Sequence, residues 1–294
     1  MSDQSQIKQS FGTGAVLARS FSQFFANFWL LLAVILVPNL VLFLLNFFLS
    51  RVIYGSISTS DFLPVNGSGS IFSVYPLSYW LLLLLSFMTS YVIWAAAILA
   101  IHGRLTGTQI SLAGCFKKAI QKFPQMFVLN LVVIVLMFAV AVPVSLIFAA
   151  MISFALSFLG GILIFLVIVF IFACFIPLTP AILVGDAGWR SLGRAAGLTR
   201  GYRWPIVGLL ALILILALIA IFVLGLGVSA ISLGLLSSAS AGTLSAFVWL
   251  SAILNGVITV LVTGYSCTLI VVIYLRLTEI KEGHSGQNLE KVFE

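Results

Sequence analysis

Long apolar segments separated by short polar ones dominate the pattern of this 294-residue chain. An α-helix rises about 1.5 Å per residue, so roughly 20 apolar residues cross the hydrocarbon of a bilayer. Backbone groups in lipid must be satisfied within the segment itself, which favours helices. We therefore predict six membrane-spanning helices, at Trp29–Leu49, Leu77–Ile101, Phe127–Ala149, Leu159–Val184, Ile206–Ala230 and Ala246–Leu275.

The third and fourth spans are predicted from one apolar stretch that covers residues 127–184. Because this stretch is long enough for two crossings, we predict a short hairpin turn near Gly160-Gly161 rather than one very long helix. Joined in this way, the six spans form three hairpins.

Three segments of equal length lead into the first, third and fifth spans. Each starts with a leucine and reaches the start of the span twelve residues later: LARSFSQFFANFW from Leu17, LAGCFKKAIQKFP from Leu112 and LGRAAGLTRGYRW from Leu192. The first two are amphipathic at the helical period. Their apolar faces comprise Leu17, Phe21, Phe24, Phe25 and Phe28 in the first segment and Leu112, Phe116, Ala119, Ile120 and Phe123 in the second.

The third segment has a narrower apolar face. The equal spacing indicates three copies of one module, an interfacial helix followed by a two-span hairpin, although any helix beside a membrane span can share this pattern. We predict an all-α polytopic membrane protein with one integral domain, 1–294, divided into modules 12–104, 111–186 and 188–283 and a cytoplasmic tail, 284–294. The third apolar face comprises Trp189, Leu192, Ala195 and Ala196, with Leu198 outside it.

The composition agrees with a membrane protein. Hydrophobic residues make up 62% of the chain and charged residues 7%. A soluble domain is about 45–50% apolar and about 25% charged. The excess apolar surface requires a bilayer as its solvent, and the predicted spans and short loops account for almost the whole length.

The basic residues lie on one side of the predicted spans. If the chain crosses the membrane six times, all of the fourteen Lys and Arg residues except Arg51 lie in segments on the same side. The excess of Lys and Arg in cytoplasmic segments then predicts that both termini are cytoplasmic. We expect a multi-pass protein of the bacterial inner membrane.

Arginine is concentrated in the segment WRSLGRAAGLTRGYRWP, which starts at Trp189 and contains no acidic residue. Arg and Lys in such a segment can place their methylenes on apolar surface and their charges at lipid phosphates. One explanation is topology alone, another is a headgroup site, and a third is a docking surface for an acidic partner protein. The candidate lipid-headgroup or partner-binding residues are Arg190, Arg194, Arg200, Arg203, Trp204, Lys117, Lys118 and Lys122.

The sequence argues against several other functions. No charged residue or histidine lies well within a predicted span, whereas coupled transporters usually carry one there. Sequence motifs of hydrolases, metalloproteases and P-loop enzymes do not occur. The cysteines, Cys115, Cys174 and Cys267, lack the spacing of a metal site or redox motif. We therefore expect no enzymatic activity, no cofactor and no metal. We also expect no nucleic-acid partner, because topology already explains the net charge of +7.

Two cytoplasmic motifs resemble a bacterial family. They are Pro180-Ala181, Asp186, Ser191-Leu192, Arg194, Leu198-Thr199, Gly201 and Arg203-Trp204, and Tyr274-Leu275-Arg276 with Lys281-Glu282-Gly283. This pattern is similar to that of the six-span proteins named for the membrane domain of glycerophosphodiester phosphodiesterases. Ala195 replaces a common serine and the acidic residue is displaced. The catalytic domain that accompanies some members is absent from this chain, so the resemblance implies a six-span membrane fold without hydrolase activity.

These observations lead to two functional hypotheses. The first is a non-enzymatic lipid-interacting scaffold or an accessory subunit of a membrane complex, with anionic phospholipids as partners and another membrane protein as a second class of partner. The alternative is a carrier or flippase for a lipid or amphiphilic small molecule, in which the basic segments collect headgroups and a neutral lateral cleft passes the tail.

Overall fold

The computed structural model describes residues 11–54, 77–108, 111–149, 154–185, 188–215, 218, 222 and 241–283, and the regular structure within these ranges is helical. Within these ranges, five helices are long and apolar enough to cross a membrane, and a sixth crossing results if one bent pair is counted as a span. The helices are α1 (Thr13–Ala26), α2 (Phe28–Tyr54), α3 (Leu77–Thr106), α4 (Leu112–Ala149), α5 (Phe154–Phe175), α6 (Leu178–Leu183), α7 (Ser191–Thr199), α8 (Arg203–Ile215) and α9 (Ala241–Glu282).

The all-helical prediction is confirmed, and the length and hydropathy of the helices indicate a multi-pass membrane protein. The turn that we predicted near Gly160-Gly161 is wrong, because both glycines lie inside α5, which begins at Phe154. Glycine costs a helix only about 1 kcal/mol, and the flanking apolar residues favour a continuous helix in lipid. Residues 150–153 and the tail at 284–294 lie outside the described residues.

The three segments that precede spans differ in how they join them. α1 and α2 are separated only at Asn27, whose carbonyl accepts a hydrogen bond from the Leu31 amide at 3.0 Å. The second segment has no break at all, since α4 runs through Pro124 as one 38-residue helix. The third forms α7, which meets α8 at a bend of 92°. The equivalence of the three predicted modules therefore stays a prediction.

The best-packed part of the protein lies toward one end of the bundle. The second half of α3 is buried from Ala95 to Ile101, where alanines let neighbouring helices approach closely. The first half of α2, all of α6 and the second half of α9 pack around it. Farther along α2 and α4, large apolar side chains such as Val41, Phe48 and Phe138 are exposed, as expected of surfaces that face lipid.

A proline break separates α5 from α6. Pro177 has no amide hydrogen to donate, and α5 ends at Phe175 just before it. The buried hydroxyl of Thr199, at the end of α7, donates to the Cys174 carbonyl oxygen at 3.0 Å. The Thr199 hydroxyl thus supplies a hydrogen bond to the last turn of α5, next to the break. This contact holds α7 against the bundle.

Candidate functional site

The segments that carry most of the basic residues meet at one end of the bundle. The guanidinium of Arg194 on α7 contacts the carboxylate of Glu282 on α9, and the 3₁₀ turn before α7 contacts α4. The ring of Phe11 lies 6.1 Å from that of Tyr202, and the Lys281 ammonium lies 5.8 Å from the same Tyr202 ring. We call this end, formed by Arg104 and residues 111–122, 188–204 and 276–283, the basic end.

The predicted basic residues differ in how far they reach solvent. Lys117, Arg190 and Arg200 are exposed, and in the described part of the chain none of them has an ion-pair partner. Asp186, which lies four residues before Arg190, is outside the described residues. These three cations are available to a phosphate group or an acidic surface. The half-buried basic residues of the predicted site are Lys118, Lys122, Arg194 and Arg203.

Arg194 ties two elements together rather than facing outward. Its Nη2 and Nε donate to the Glu282 carboxylate at 2.8 and 3.1 Å, and its Nη1 donates to the Gly185 carbonyl at 3.3 Å. By accepting these hydrogen bonds, Glu282 raises the pKa of Arg194. Because its charge is already paired, Arg194 contributes to the connection between α7 and α9 more than to a headgroup site.

Lys118 and Arg203 are turned toward the helices. Lys118 is close enough to His102 of α3 to interact with it electrostatically, and the His102 ring lies 6.4 Å from the ring of Tyr274 on α9. Nε of Arg203 is buried, with no hydrogen-bond partner among the described residues. Both side chains therefore sit at the border between the packed helices and the exposed surface.

Large aromatic side chains are exposed beside these cations. The exposed fraction is 79% for Trp29, at the start of α2, and 76% for Trp204, at the start of α8. The Trp204 ring contacts that of Phe170 on α5, with 5.8 Å between centroids. Tryptophan is enriched where spans meet the headgroup region, because the ring is apolar and its N–H is polar. The role of Trp204 at the membrane boundary stays a prediction.

The apolar face predicted for α7 is wrong at two positions. Leu198 is buried, although the helical pattern placed it outside the apolar face, and Trp189 is exposed. Trp189 belongs to a 3₁₀ turn, Gly188–Arg190, whose tighter winding changes the direction of its side chain relative to α7. Ala195, which the pattern did place on the apolar face, is fully buried.

Sequence reasoning missed a groove at the basic end. It has a volume of about 710 Å³ and lies between the start of α2, the end of α3 and the start of α4. Arg104 is its charged lining residue, and Thr108 and Ser111 supply hydroxyl groups. In the sequence, the groove corresponds to an arginine followed by a short run rich in Thr, Gly and Ser between two spans. This pattern is typical of an ordinary cytoplasmic turn, so it did not indicate a groove.

The cysteines and acidic residues form no metal site within the described ranges. The described part of the chain holds no group of three or more His, Cys, Asp or Glu residues that could bind a metal ion. Cys115, Cys174 and Cys267 are buried free thiols. They occupy small spaces between helices, as apolar packing residues do.

No family model, curated protein or solved structure matches this chain. The resemblance to the six-span membrane-domain family therefore stays a hypothesis.

Proposed function

We propose that this protein is a non-enzymatic multi-pass protein of the bacterial inner membrane whose basic end binds anionic phospholipids. In this role it acts as a lipid-interacting scaffold or as an accessory subunit of a membrane complex. The observation that carries the proposal is that exposed cations and exposed tryptophans lie together at the end of the bundle where the helices are best packed. Both termini would then be cytoplasmic.

The arrangement suits a surface in contact with lipid phosphates. Each Lys or Arg near an anionic leaflet contributes about 1 kcal/mol of attraction, which is screened within a Debye length. Lys117, Arg190 and Arg200 come from two segments far apart in the chain, and they are exposed without an ion pair in the described ranges. Trp29 and Trp204 would hold the same end at the depth of the headgroups.

The subunit role is supported by the apolar surface outside the packed half. Exposed leucine, valine and phenylalanine side chains cover the later part of α2 and α4, for example Phe48, Val135 and Phe138. In a bilayer these side chains contact lipid tails or the spans of another membrane protein.

The carrier alternative requires a path for the substrate through the bilayer. The groove of about 710 Å³ lies at the basic end, beside Arg104 and Ser111. A cavity at that position can hold a lipid headgroup. Because a scaffold and a carrier would both bind headgroups, the groove supports lipid binding and does not by itself favour transport.

Neutralising the exposed arginines tests the proposal. We expect the double variant Arg190→Gln/Arg200→Gln to lose about 2 kcal/mol of attraction, so that its affinity for anionic lipid falls more than tenfold. The measurement is native mass spectrometry of protein purified in mild detergent, with phosphatidylglycerol counted against phosphatidylcholine.

The matched control is Arg51→Gln, which removes the same kind of charge from the far end of α2. The control variant is expected to keep the lipid content of the unmodified protein. Equal phosphatidylglycerol content in the double variant and in the unmodified protein would show that the basic end does not bind anionic lipid.

A further inference from the structure

We propose that the groove beside Arg104 is a specific binding site for the phosphate group of one anionic phospholipid molecule. This inference rests on the proposed function and deepens it, because it assigns one saturable site within a surface that otherwise attracts lipids by its general charge. The groove lies between the start of α2, the end of α3 and the start of α4, and its volume is about 710 Å³.

The charge of the groove selects an anion. Arg104 is exposed, and it makes no salt bridge among the residues that the structure describes. The Glu282 carboxylate pairs with Arg194 and the Glu279 carboxylate pairs with Arg276. A guanidinium that no carboxylate neutralises can form two parallel hydrogen bonds with a phosphate group.

Among the remaining polar groups of the groove, the Ser111 hydroxyl suits a phosphate oxygen. Thr108 and Ser111 line it, but the Thr108 hydroxyl lies 3.0 Å from the Thr106 hydroxyl and 3.5 Å from the Gly103 carbonyl oxygen, so its hydrogen is already engaged. The Ser111 hydroxyl oxygen accepts a hydrogen bond from the Gly114 amide at 3.1 Å, which leaves its own hydrogen available to a ligand. Arginine together with a hydroxyl donor recognises a phosphate ester more readily than a carboxylate, because the phosphate presents more acceptor oxygens.

The apolar walls indicate that the phosphate belongs to a lipid. Leu30 of α2, Ala100 of α3 and Leu112 of α4 line the groove beside the polar groups, and Leu112 is exposed. Trp29, the residue before Leu30, is almost fully exposed and marks the predicted depth of the headgroups. The volume falls within the range of about 300–1,000 Å³ that holds molecules of drug size, so it accommodates a phosphate with its glycerol and first methylenes.

The test measures the first lipid bound to the full chain. In native mass spectrometry, phosphatidylglycerol is titrated into delipidated protein in detergent, and the dissociation constant of the one-lipid adduct is determined. We expect Arg104→Gln to weaken this first binding step about tenfold, as loss of a charge-assisted hydrogen bond would. Arg19→Gln, which removes an exposed arginine on α1, is the matched control and is expected to leave the step unchanged.

A second variant tests the groove without changing charge. Leu112→Trp adds bulk to the groove wall and is expected to weaken the same step while the protein keeps its thermal stability. If Arg104→Gln and Arg19→Gln bind the first lipid equally well, the assignment of the groove is overturned.

Two further comparisons separate the sources of phosphate and the two proposals. Inorganic phosphate at millimolar concentration is expected to compete poorly with the lipid, and complete displacement would show that the groove binds free phosphate instead. The Arg190→Gln/Arg200→Gln variant is expected to keep the first lipid and lose the later ones. If only Arg104→Gln has no effect, the groove assignment fails while the general surface stands; if neither variant has an effect, the proposed function fails as well.

Discussion

At the scale of single residues, buried hydroxyl groups hold the polar segments against the spans. Thr199 is fully buried, and its hydroxyl donates to the Cys174 carbonyl at 3.0 Å, with the Ala195 and Ala196 carbonyls at 3.3 and 3.2 Å as alternatives within its own helix. A hydroxyl donates only one hydrogen at a time. Of these acceptors, the Cys174 carbonyl belongs to a different helix, α5, so the hydrogen bond to it links α7 to α5.

Replacing this hydroxyl tests its contribution. We expect Thr199→Val to lower the free energy of unfolding by about 0.5–1.5 kcal/mol, because a buried carbonyl loses its donor while the side-chain volume stays nearly the same. The measurement is the midpoint of thermal unfolding in detergent. Thr268→Val is the control: Thr268 is equally buried, but its hydroxyl donates only to the Gly264 carbonyl of its own helix. An equal shift in both variants would contradict the link between helices.

At the scale of helices, a close approach at Gly264 joins α9 to the corner between α1 and α2. A β-carbon at this position would lie 3.2 Å from a ring carbon of Phe24 and 3.5 Å from Leu31. The Phe24 ring is itself enclosed by Phe28 and by Tyr265, whose ring centroid is 6.0 Å away. α1 is therefore held by a contact that depends on the absence of a side chain.

A larger residue at this contact should separate the helices. We expect Gly264→Val to cost about 1–3 kcal/mol of stability, as overpacking of a filled contact does. The readout is the thermal midpoint together with the rate of proteolysis within α1. Gly208→Val on α8 is the control, since a β-carbon there would have no atom within 4 Å. A stable Gly264→Val variant with α1 still protected would contradict the close packing.

At the scale of the whole molecule, the packed core and the basic residues share one end. Cys115 of α4 and Ala195 of α7 are buried in the same cluster as the second half of α3. Lys117 and Arg200, which neighbour these residues along the chain, therefore lie on the same side of the bundle. Arg51 lies near the opposite end of α2, roughly 33 Å from Trp29 at the helical rise of 1.5 Å per residue.

Labelling of single introduced cysteines tests this sidedness. We expect Lys117→Cys and Arg200→Cys to react with a membrane-impermeant maleimide from the cytoplasmic side only, and Arg51→Cys from the opposite side only. The native cysteines can remain in place because all three are buried. Lys117→Cys and Arg200→Cys reacting from different sides would contradict both the fold and the proposed topology.

The hydropathy pattern was sufficient to predict a helical membrane protein and most of its candidate span positions. These are local properties, because burial in lipid depends on each segment's own composition. The place of the turn after α4 was wrong, since an apolar run and two glycines specify no break.

The pairing of charges, the burial of single side chains and the groove depend on contacts between segments that are far apart in the chain. Arg194 and Glu282 are 88 positions apart, and the pairing of their charges follows only from how α7 and α9 pack. Leu198 is buried because a neighbouring helix covers it, and Arg104 becomes part of a groove because α2 lies opposite it. The sequence pattern indicates whether a side chain favours an apolar or a polar environment. Which residue it contacts depends on which helices pack together, and only the tertiary structure shows this.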